Sequence, residues 1–222
     1  MKNVVLRRDA LPAADSLFAC PAIERREDSC FASPISVYPP ACKLFIQGLA
    51  PQHVFCIHSG LVKLVNVTAD GKESLLAVRS AGWILGVASL ILAKPYRATA
   101  ETLTSCELHH CSAQGFRDLA ERDIKFARQL LQLVSQGLYD QTDQLVLLRT
   151  LTARQRIENL LMQVTGSDNG GRVELPLRLE EIAQWIAVAP AHLSRLLKQM
   201  EKDGAIKREK GWIFVTGLRP KV

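Results

Sequence analysis

The hydrophobic pattern changes along the chain, from a two-residue repeat to a repeat of three and four residues. Between about residue 35 and residue 108, short runs with alternating apolar positions are separated by single glycines. Such runs predict β-strands, over Lys43–Ile46, His53–Ile57, Leu61–Val67, Ser74–Val78, Ile84–Leu85, Thr99–Thr102 and Glu107–His110. Asp70-Gly71 lies between two of these runs and is a strong hairpin signal. This region therefore predicts a small barrel or a double-sheet roll.

From about Ser112 to Arg149 the apolar repeat is helical. Residues at alternating steps of three and four form a seam over nearly three heptads: Leu131, Val134, Leu138, Gln141, Leu145 and Leu148. A sustained heptad pattern favours a two-stranded coiled coil, and therefore a homodimer, over packing of this seam on the chain's own roll. Gln141 is the polar member. It either sets the register or, with Thr142 beside it, contacts a ligand where the helix meets the roll.

Residues 177–204 contain two short amphipathic helices that a three-residue turn, Ala187–Ala189, separates. Pro190 suits the first position of the second helix, because its missing N–H would have no partner there. Each helix has one apolar stripe, with Leu179, Ile182, Ala183 and Ile186 in the first, and Leu193, Leu196, Leu197 and Met200 in the second. Two short strands, Ile206–Arg208 and Trp212–Val215, then predict a β-wing.

The second helix leaves a polar face that mixes cationic and hydrogen-bonding side chains: His192, Ser194, Arg195, Lys198 and Gln199. Two helices joined by a short turn, with such a face on the second, are typical of a helix-turn-helix that enters the major groove of DNA. The simpler alternative is an ordinary helical hairpin with a solvated charged face.

The charge distribution favours DNA as the partner. The chain has 222 residues and a formal net charge of +6, and residues 149–222 have 13 Lys/Arg against 8 Asp/Glu. Contacts with phosphates need such a local excess of positive charge. No run of about 18 apolar residues and no long apolar N-terminal region occur. We therefore expect no transmembrane helix, no signal peptide and a cytoplasmic location.

Three shorter segments complete the predicted elements. Thr152 has the side chain of an N-cap for a helix over 153–165. Val173–Leu177 is predicted to be a strand that leads into the helix-turn-helix. Near the N-terminus, Ala13–Phe18 is predicted to form a short helix.

The six cysteines lie in the first half of the chain without a Cys-x-x-Cys pair: Cys20, Cys30, Cys42, Cys56, Cys106 and Cys111. Their spacing fits no zinc template, and in a cytosolic protein they should be reduced. Cys56 and Cys106 lie in apolar strand patterns, so we expect them in the core. Cys20 and Cys30 lie in a polar stretch and are the better redox candidates.

In this order of roll, long helix and winged helix-turn-helix, the chain resembles the Crp/Fnr family of bacterial transcription regulators over nearly its whole length. The matching stretches are HSGLVKLVNVTADGKESLLAVRSAGWILG (58–86), RATAETL (97–103), ARQRIENLL (153–161) and the helix-turn-helix through GWIFV (211–215). The resemblance implies an α+β fold with an N-terminal double-stranded β-roll of the jelly-roll type, a long dimerisation helix and a C-terminal winged helix-turn-helix. We place these segments at 1–117, 118–150 and 151–222.

In this family the roll is a cyclic-nucleotide-binding fold, and its phosphate cassette follows a glycine that Gly86 matches. Nucleotide-binding members next have a glutamate for the ribose and, about ten residues later, an arginine followed by Ser or Thr. Here Val87 replaces the glutamate, Arg97 matches the arginine and Ala98 replaces the hydroxyl residue. Thr99 comes one position later, where its side chain points the other way.

These departures argue against cyclic AMP as the effector. The candidate effector-binding residues are therefore Gly86 and Arg97, which match the family's cassette, with Thr99 beside them and Gln141 and Thr142 on the long helix. Arg97 alone is equally typical of a surface or ion-paired strand residue.

The iron–sulfur branch of the family has a tight N-terminal cysteine cluster and one further cysteine in the roll. Cys20 and Cys30 are too far apart for that cluster, and His109 occupies the position of the roll ligand. His109 and His110 point to opposite faces of a strand, so they cannot bind one metal together. We expect neither an iron–sulfur cluster nor haem nor another metal site, and the cofactor stays unassigned.

The family's reading helix commonly contacts bases through a glutamate, a serine or glycine, and an arginine. Ser194 and Arg195 match two of these, whereas Ala191 replaces the glutamate. We expect Arg195 to read guanine O6 and N7. His192 and Ser194 would support it, and Lys198 would contact phosphate.

The sequence thus predicts a dimeric, sequence-specific transcription regulator. Its expected partners are double-stranded DNA, a second copy of the chain, RNA polymerase and a small-molecule effector. No motif supplies a nucleophile or an acid–base pair, so we do not expect an enzyme. The alternative is a small-molecule-binding protein whose winged helix contacts another protein.

Overall fold

The computed structural model describes residues 34–165, 172–173, 177–209 and 212–215. By its internal contacts the chain divides into two compact units, with the division between Gln141 and Thr142. The helix predicted at Ala13–Phe18 and the redox candidates Cys20 and Cys30 lie outside the described residues. In the described part of the chain, no helix is long and apolar enough to cross a membrane.

The unit that ends at Gln141 is built on two antiparallel four-stranded sheets, with the strand orders β1-β8-β3-β6 and β2-β7-β4-β5. The strands are β1 (Ser36–Tyr38), β2 (Lys43–Phe45), β3 (His53–Ser59), β4 (Val62–Val67), β5 (Glu73–Arg79), β6 (Ile84–Leu85), β7 (Thr99–Thr102) and β8 (Cys106–Ser112). The predicted double-sheet roll is therefore confirmed. Strand β1 and a short helix, α1 (Val87–Ile91), were not part of the prediction.

The hairpin predicted at Asp70-Gly71 is present between β4 and β5. These strands pair from Val62 with Arg79 to Val67 with Glu73. The connecting turn is closed because the Thr68 N–H donates to the Lys72 carbonyl at 2.9 Å. The turn thereby sets the register between β4 and β5.

Apolar side chains from both sheets and from the following helices form one core. Its most deeply buried members include Val54, Ile57, Leu108 and Phe116. Cys106 is fully buried, as predicted, whereas Cys56 is half-buried and packs against the edge of this core. Burial raises the pKa of the Cys106 thiol, which favours the protonated, less reactive form. The four described cysteines are free thiols.

Two helices follow the roll: α2 (Ala113–Arg122) and α3 (Ile124–Thr150). Ser112 caps α2, because its Oγ accepts a hydrogen bond from the Gly115 N–H at 3.1 Å. Asp123 then begins α3 in a similar way, with Oδ1 accepting from the N–H of Lys125 at 2.8 Å. The early turns of α3 bury Phe126, Leu130 and Leu133 in the core of the roll.

Most of the predicted heptad seam lies on a different side of α3 and is exposed, whereas its last member, Leu148, is half-buried. Leu131 and Leu138 are 67% and 66% exposed, Leu145 is 54% exposed, and Val134 is 47% exposed. The alternative interpretation, in which this seam packs on the chain's own roll, is therefore wrong for the described chain. The long helix instead has two apolar stripes, one buried and one largely exposed.

The unit that begins at Thr142 contains the end of α3 and the remaining elements. These are α4 (Ala153–Thr165), β9 (Arg172–Val173), α5 (Leu179–Trp185), α6 (Pro190–Lys202), β10 (Ile206–Glu209) and β11 (Trp212–Val215). The strands form a sheet in the order β10-β11-β9. Antiparallel pairing of Ile206 with Val215 and of Glu209 with Trp212 confirms the predicted wing.

Two predictions in this unit have different outcomes. Thr152 caps α4 as predicted: its Oγ1 accepts from the Gln155 N–H at 3.3 Å, and Gln155 Oε1 accepts from the Thr152 N–H at 2.9 Å. The strand predicted over Val173–Leu177 is wrong at its end, because Leu177 lies buried in a bend. Residues 174–176 lie outside the described part of the chain.

The two helices of the helix-turn-helix pack through the predicted stripes. Ile182 and Ala183 of α5, Ile186 directly after it, and Leu193, Leu197 and Met200 of α6 are buried. Leu196 is half-buried. Leu179 is the exception, with 38% exposure, because a side chain at the first helical position leans over the helix start and away from the packed turns.

Candidate functional site

The polar face of α6 is the surface of the helix-turn-helix that can reach a partner. The helix starts at Pro190, as predicted, after an extended Ala189. His192, Arg195, Lys198 and Gln199 are exposed, and Ser194 is half-buried at the edge of the face. The helical spacing brings these five predicted residues to one side. The opposite side holds the helix in the core.

Arg195 is the most suitable base-reading side chain on this face. It is exposed, and its Nε makes a long contact of 3.4 Å with the Ala191 carbonyl of its own helix. The guanidinium can therefore present a fork of donors to an acceptor pair such as guanine O6 and N7. Ala191 is exposed on the same face and adds no polar group there.

Gln199 is held by a chain of hydrogen bonds that ties α6 to α4. Its Nε2 donates to Asp203 Oδ1 at 2.8 Å. Asp203 Oδ2 accepts from Arg154 Nη1 at 2.5 Å, and Arg154 Nε donates to Glu158 at 2.9 Å. The hydrogen bond from Arg154 and that from Gln199 lower the pKa of Asp203. Gln199 thus stabilises the position of the helix as well as lying on its polar face.

The wing is joined to α6 by a second ion pair. Glu201 accepts from the Arg208 N–H and Nε, both at 3.0 Å, and from Arg208 Nη2 at 2.7 Å. These hydrogen bonds lower the pKa of the Glu201 carboxyl. A two-pronged pair of this kind fixes geometry as well as charge, so strand β10 is aligned with α6.

Two further residues of this region were not singled out from the sequence. Lys202 is exposed and lies seven residues after Arg195, so it extends the same face by two turns. That spacing was the signal available in the sequence. Arg178 precedes α5, where its N–H donates to the buried Glu181 carboxylate at 2.7 Å and its Nη2 contacts it at 3.3 Å. This capping arrangement fixes the start of α5.

In the roll, the predicted effector cassette begins at Gly86. Gly86 has a φ of 89° and precedes α1. A Cβ at this position would lie 3.1 Å from the His53 carbonyl oxygen and 3.2 Å from Tyr96 Cε1. Tyr96 Oη also donates to the His53 carbonyl at 2.6 Å. Both the backbone conformation and the lack of space therefore require glycine.

The side chains after Gly86 present little polar chemistry. Val87 and Ala98 are buried. Thr99 Oγ1 accepts from the Gln47 N–H at 3.1 Å, so this hydroxyl serves the β2–β7 connection. Arg97 is exposed, and its carbonyl accepts from Asn66 Nδ2 at 3.0 Å. Among these four residues, Arg97 is the one with an exposed charged side chain.

The remaining candidates lie on α3 and β8. Gln141 and Thr142 are exposed on α3, on either side of the division between the two units. His109 and His110 face different neighbours: the His109 ring centroid is 6.3 Å from that of His58, and the His110 centroid is 6.1 Å from that of His53. Within the described residues, no group of three His, Cys, Asp or Glu side chains is placed to hold a metal ion.

Comparison with known families gives two matches that follow one another along the chain. A cyclic nucleotide-binding domain matches residues 35–123, and a Crp-like helix-turn-helix domain matches residues 155–219. The transcriptional activator protein FnrA of Stutzerimonas stutzeri is 23% identical over 75% of this chain and 70% of its own length. The cyclic AMP receptor protein of Thermus thermophilus is 25% identical over 81% of this chain and 82% of its own length.

The fold is shared with solved structures of such regulators. The c-di-GMP responsive global regulator CLP of Xanthomonas campestris matches with a TM-score of 0.71 at 22% identity, over 84% of this chain and 96% of that chain. The two matched domains and the curated relatives define a transcription regulator with a DNA-binding domain. The chain belongs to the Crp/Fnr family.

Proposed function

We propose that this regulator acts as a homodimer that recognises a specific DNA sequence, and that its roll responds to an effector other than cyclic AMP. The exposed polar face of α6, with Arg195 at its centre, is the observation that carries the proposal. DNA and RNA polymerase are the macromolecular partners that such a regulator needs. Arg195 supplies base discrimination, with Ser194 and His192 in support. Lys198 supplies phosphate contact.

The exposed seam of α3 supports the homodimer. Four of its five apolar members, all but Leu148, are each about half or more exposed in the single chain, which is costly in water. A second copy presents the same residues at the same heptad spacing, so two α3 helices can cover one another. Two α6 helices in such a dimer would enter successive major grooves, about 34 Å apart.

The cassette supports an effector other than cyclic AMP. The ribose hydroxyls of a nucleotide need polar acceptors, and a buried Val87 offers none. Ala98 is buried and has no hydroxyl for the phosphate. Thr99 Oγ1 accepts a backbone hydrogen bond but can still donate one. The candidate contacts for a non-nucleotide ligand are therefore Gly86, Arg97 and Thr99 in the cassette, with Gln141 and Thr142 on α3 as further candidates.

Selection of duplexes from a random pool tests DNA recognition directly, since the protein itself determines which sequences are retained. We expect enrichment of a near-palindrome whose half-sites are centred about one helical turn apart. Affinity for the selected duplex should exceed affinity for random DNA by at least about 10³-fold at physiological salt. A pool that stays random after repeated rounds, with equal binding of all duplexes, would contradict sequence-specific recognition.

Calorimetry with cyclic AMP tests the effector. We expect no saturable binding at micromolar concentration, in wild type or in Arg97→Ala. Micromolar binding that disappears in Arg97→Ala would overturn the proposal for the cassette. Purification under anaerobic conditions, followed by mass analysis of released small molecules, then identifies any ligand that the roll retains.

A further inference from the structure

The unit that contains the helix-turn-helix has a partly open cavity that the recognition of DNA does not use. Its empty space is about 320 Å³, including the part that opens to solvent. The cavity is bordered by the last turns of α3, by α4 and by the end of α5. Its lining combines apolar and polar side chains, among them Leu147, Leu160, Trp185, Gln144, Arg156 and Asn159.

Arg156 is the unusual member of this lining. It is partly buried, and its Nε is enclosed with no hydrogen-bond partner among the described residues. Its neighbour Arg154 shows the ordinary arrangement, since that guanidinium pairs with Glu158 and Asp203. An enclosed donor on a charged group is unfavourable unless something accepts its hydrogen bond. The position therefore calls for an acceptor that the described chain does not supply.

We propose that this cavity binds a small monocarboxylate through Arg156. The Nε and one Nη of a guanidinium form an edge that matches the two oxygens of a carboxylate. The amides of Gln144 and Asn159 can donate further hydrogen bonds. The apolar wall formed by Leu147, Leu160 and Trp185 suits an alkyl chain of a few carbons, as in propionate.

The location of the cavity gives such a ligand a regulatory consequence. Gln144 and Leu147 belong to the end of the long helix, Arg156 and Asn159 to α4, and Trp185 to α5. A carboxylate held by these residues favours one arrangement of α5 relative to the end of α3. A ligand that binds one arrangement better shifts the population towards it. This consequence rests on the proposed function, whereas binding of the carboxylate does not.

Propionate and its uncharged isostere propionamide are the probes for this site in the full-length chain. The indole N–H resonance of Trp185, assigned by Trp185→Phe, reports occupancy in ¹H–¹⁵N spectra at constant ionic strength. We expect a saturable shift with propionate and none with propionamide. Arg156→Gln should weaken propionate binding at least 10-fold. Arg149→Gln, which removes an exposed charge from the last turn of α3, should leave it unchanged.

A Trp185 resonance that does not move with propionate, or that moves equally with propionamide, overturns the carboxylate site. Equal propionate affinity in wild type and Arg156→Gln overturns it as well. If Arg156→Gln fails to fold by circular dichroism, Arg156→Lys keeps the charge without the forked edge and should still lose at least 10-fold. Propionate binding in a chain that selects no DNA contradicts the proposed function alone. Absence of propionate binding in a chain that selects DNA contradicts this inference alone.

Discussion

The polar face of α6 lies in one unit of the chain and the candidate effector cassette lies in the other. The two differ in whether their side chains are polar and exposed or apolar and buried. On α6, the side chains that could contact DNA are exposed, and ion pairs behind them hold the helix in place. In the cassette, the backbone features remain at Gly86 and α1, but Val87 and Ala98 are buried apolar residues. The backbone framework of both sites is present, whereas the exposed polar side chains lie mainly on α6.

This difference separates what a fold needs from what a ligand needs. Gly86 is required by its φ of 89° and by the contacts that surround it, whichever ligand binds. No such backbone constraint requires valine at position 87 or alanine at position 98. The matched helix-turn-helix domain assigns the output of the regulator to DNA, and for the input we propose a ligand other than cyclic AMP.

The largest expected effect comes from a substitution in the seam of α3, because the proposed dimer needs this seam to place two α6 helices on one DNA duplex. Leu138→Asp places a charge in the exposed apolar stripe of α3. A buried unpaired charge is strongly unfavourable, so we expect dissociation into monomers and loss of at least about 100-fold in affinity for the selected DNA. Sedimentation velocity and fluorescence anisotropy measure the two effects.

Leu76→Asp is the matched control for the seam, because Leu76 is 51% exposed on β5 of the roll. It should leave the oligomeric state and the DNA affinity unchanged. A Leu138→Asp chain that remains a dimer would show that another surface joins the two copies.

Gly86→Ala tests whether the cassette keeps its backbone for a structural reason. Gly48 has a φ of 85° and open space where an added Cβ would lie, whereas a Cβ at Gly86 would have close neighbours. We expect Gly48→Ala to cost about 1–2 kcal/mol for the left-handed conformation. Gly86→Ala should cost about 1–3 kcal/mol more, because of the contact with His53 and Tyr96. Urea unfolding gives both values, and equal losses would show that the neighbours yield without strain.

Lys198→Ala tests whether Lys198 contacts phosphate while Arg195 contacts bases. A phosphate contact contributes equally on all sequences, so we expect a similar loss of affinity for selected and random duplexes. The slope of log K against log salt should become shallower by about 1. A loss confined to the selected duplex would instead make Lys198 a base reader.

The smallest expected effect concerns the pH dependence of the pair between Asp203 and Arg154. The pKa of Asp203 is lowered in the folded chain, chiefly by the hydrogen bond from Arg154. A lowered carboxyl pKa gives stability that is present above the ordinary value of about 3.9 and is lost as the pH falls through the folded value. We therefore expect wild type to exceed Asp203→Asn slightly in stability at pH 7, with the difference disappearing in acid.

Unfolding by urea between pH 3 and pH 7 measures this difference. Asp143→Asn, at an exposed position of α3, is the control variant. A constant difference between wild type and Asp203→Asn at all pH values would contradict the ion pair as its cause.

Much of the architecture followed from sequence periodicity, because burial on one face dictates spacing. The roll strands, the hairpin at Asp70-Gly71, the start of α6 at Pro190 and the cap at Thr152 were all predicted from local chemistry. The short helix α1 was not, because five residues beginning at Val87 span little more than one turn and show no helical repeat. Strand β1 is three residues long and was missed for the same reason.

Long-range contacts in the site were beyond sequence reasoning. The pairs Arg154–Asp203 and Glu201–Arg208 join residues from different elements, and their charges alone indicate no partner. Likewise, the motif ARQRIENLL does not indicate that the Nε of Arg156 is enclosed. By contrast, the polar face of α6 required no tertiary information, since helical spacing alone groups its members.

The most direct test of the central claim is the ratio of affinities for the selected duplex and for random DNA, in wild type and in Arg195→Ala, at one salt concentration. We expect the ratio to fall about 10- to 100-fold in Arg195→Ala, in line with the loss of one base-reading pair. Binding to random DNA should remain and stay sensitive to salt. An equal loss on both duplexes, with the ratio unchanged, would contradict base recognition by Arg195.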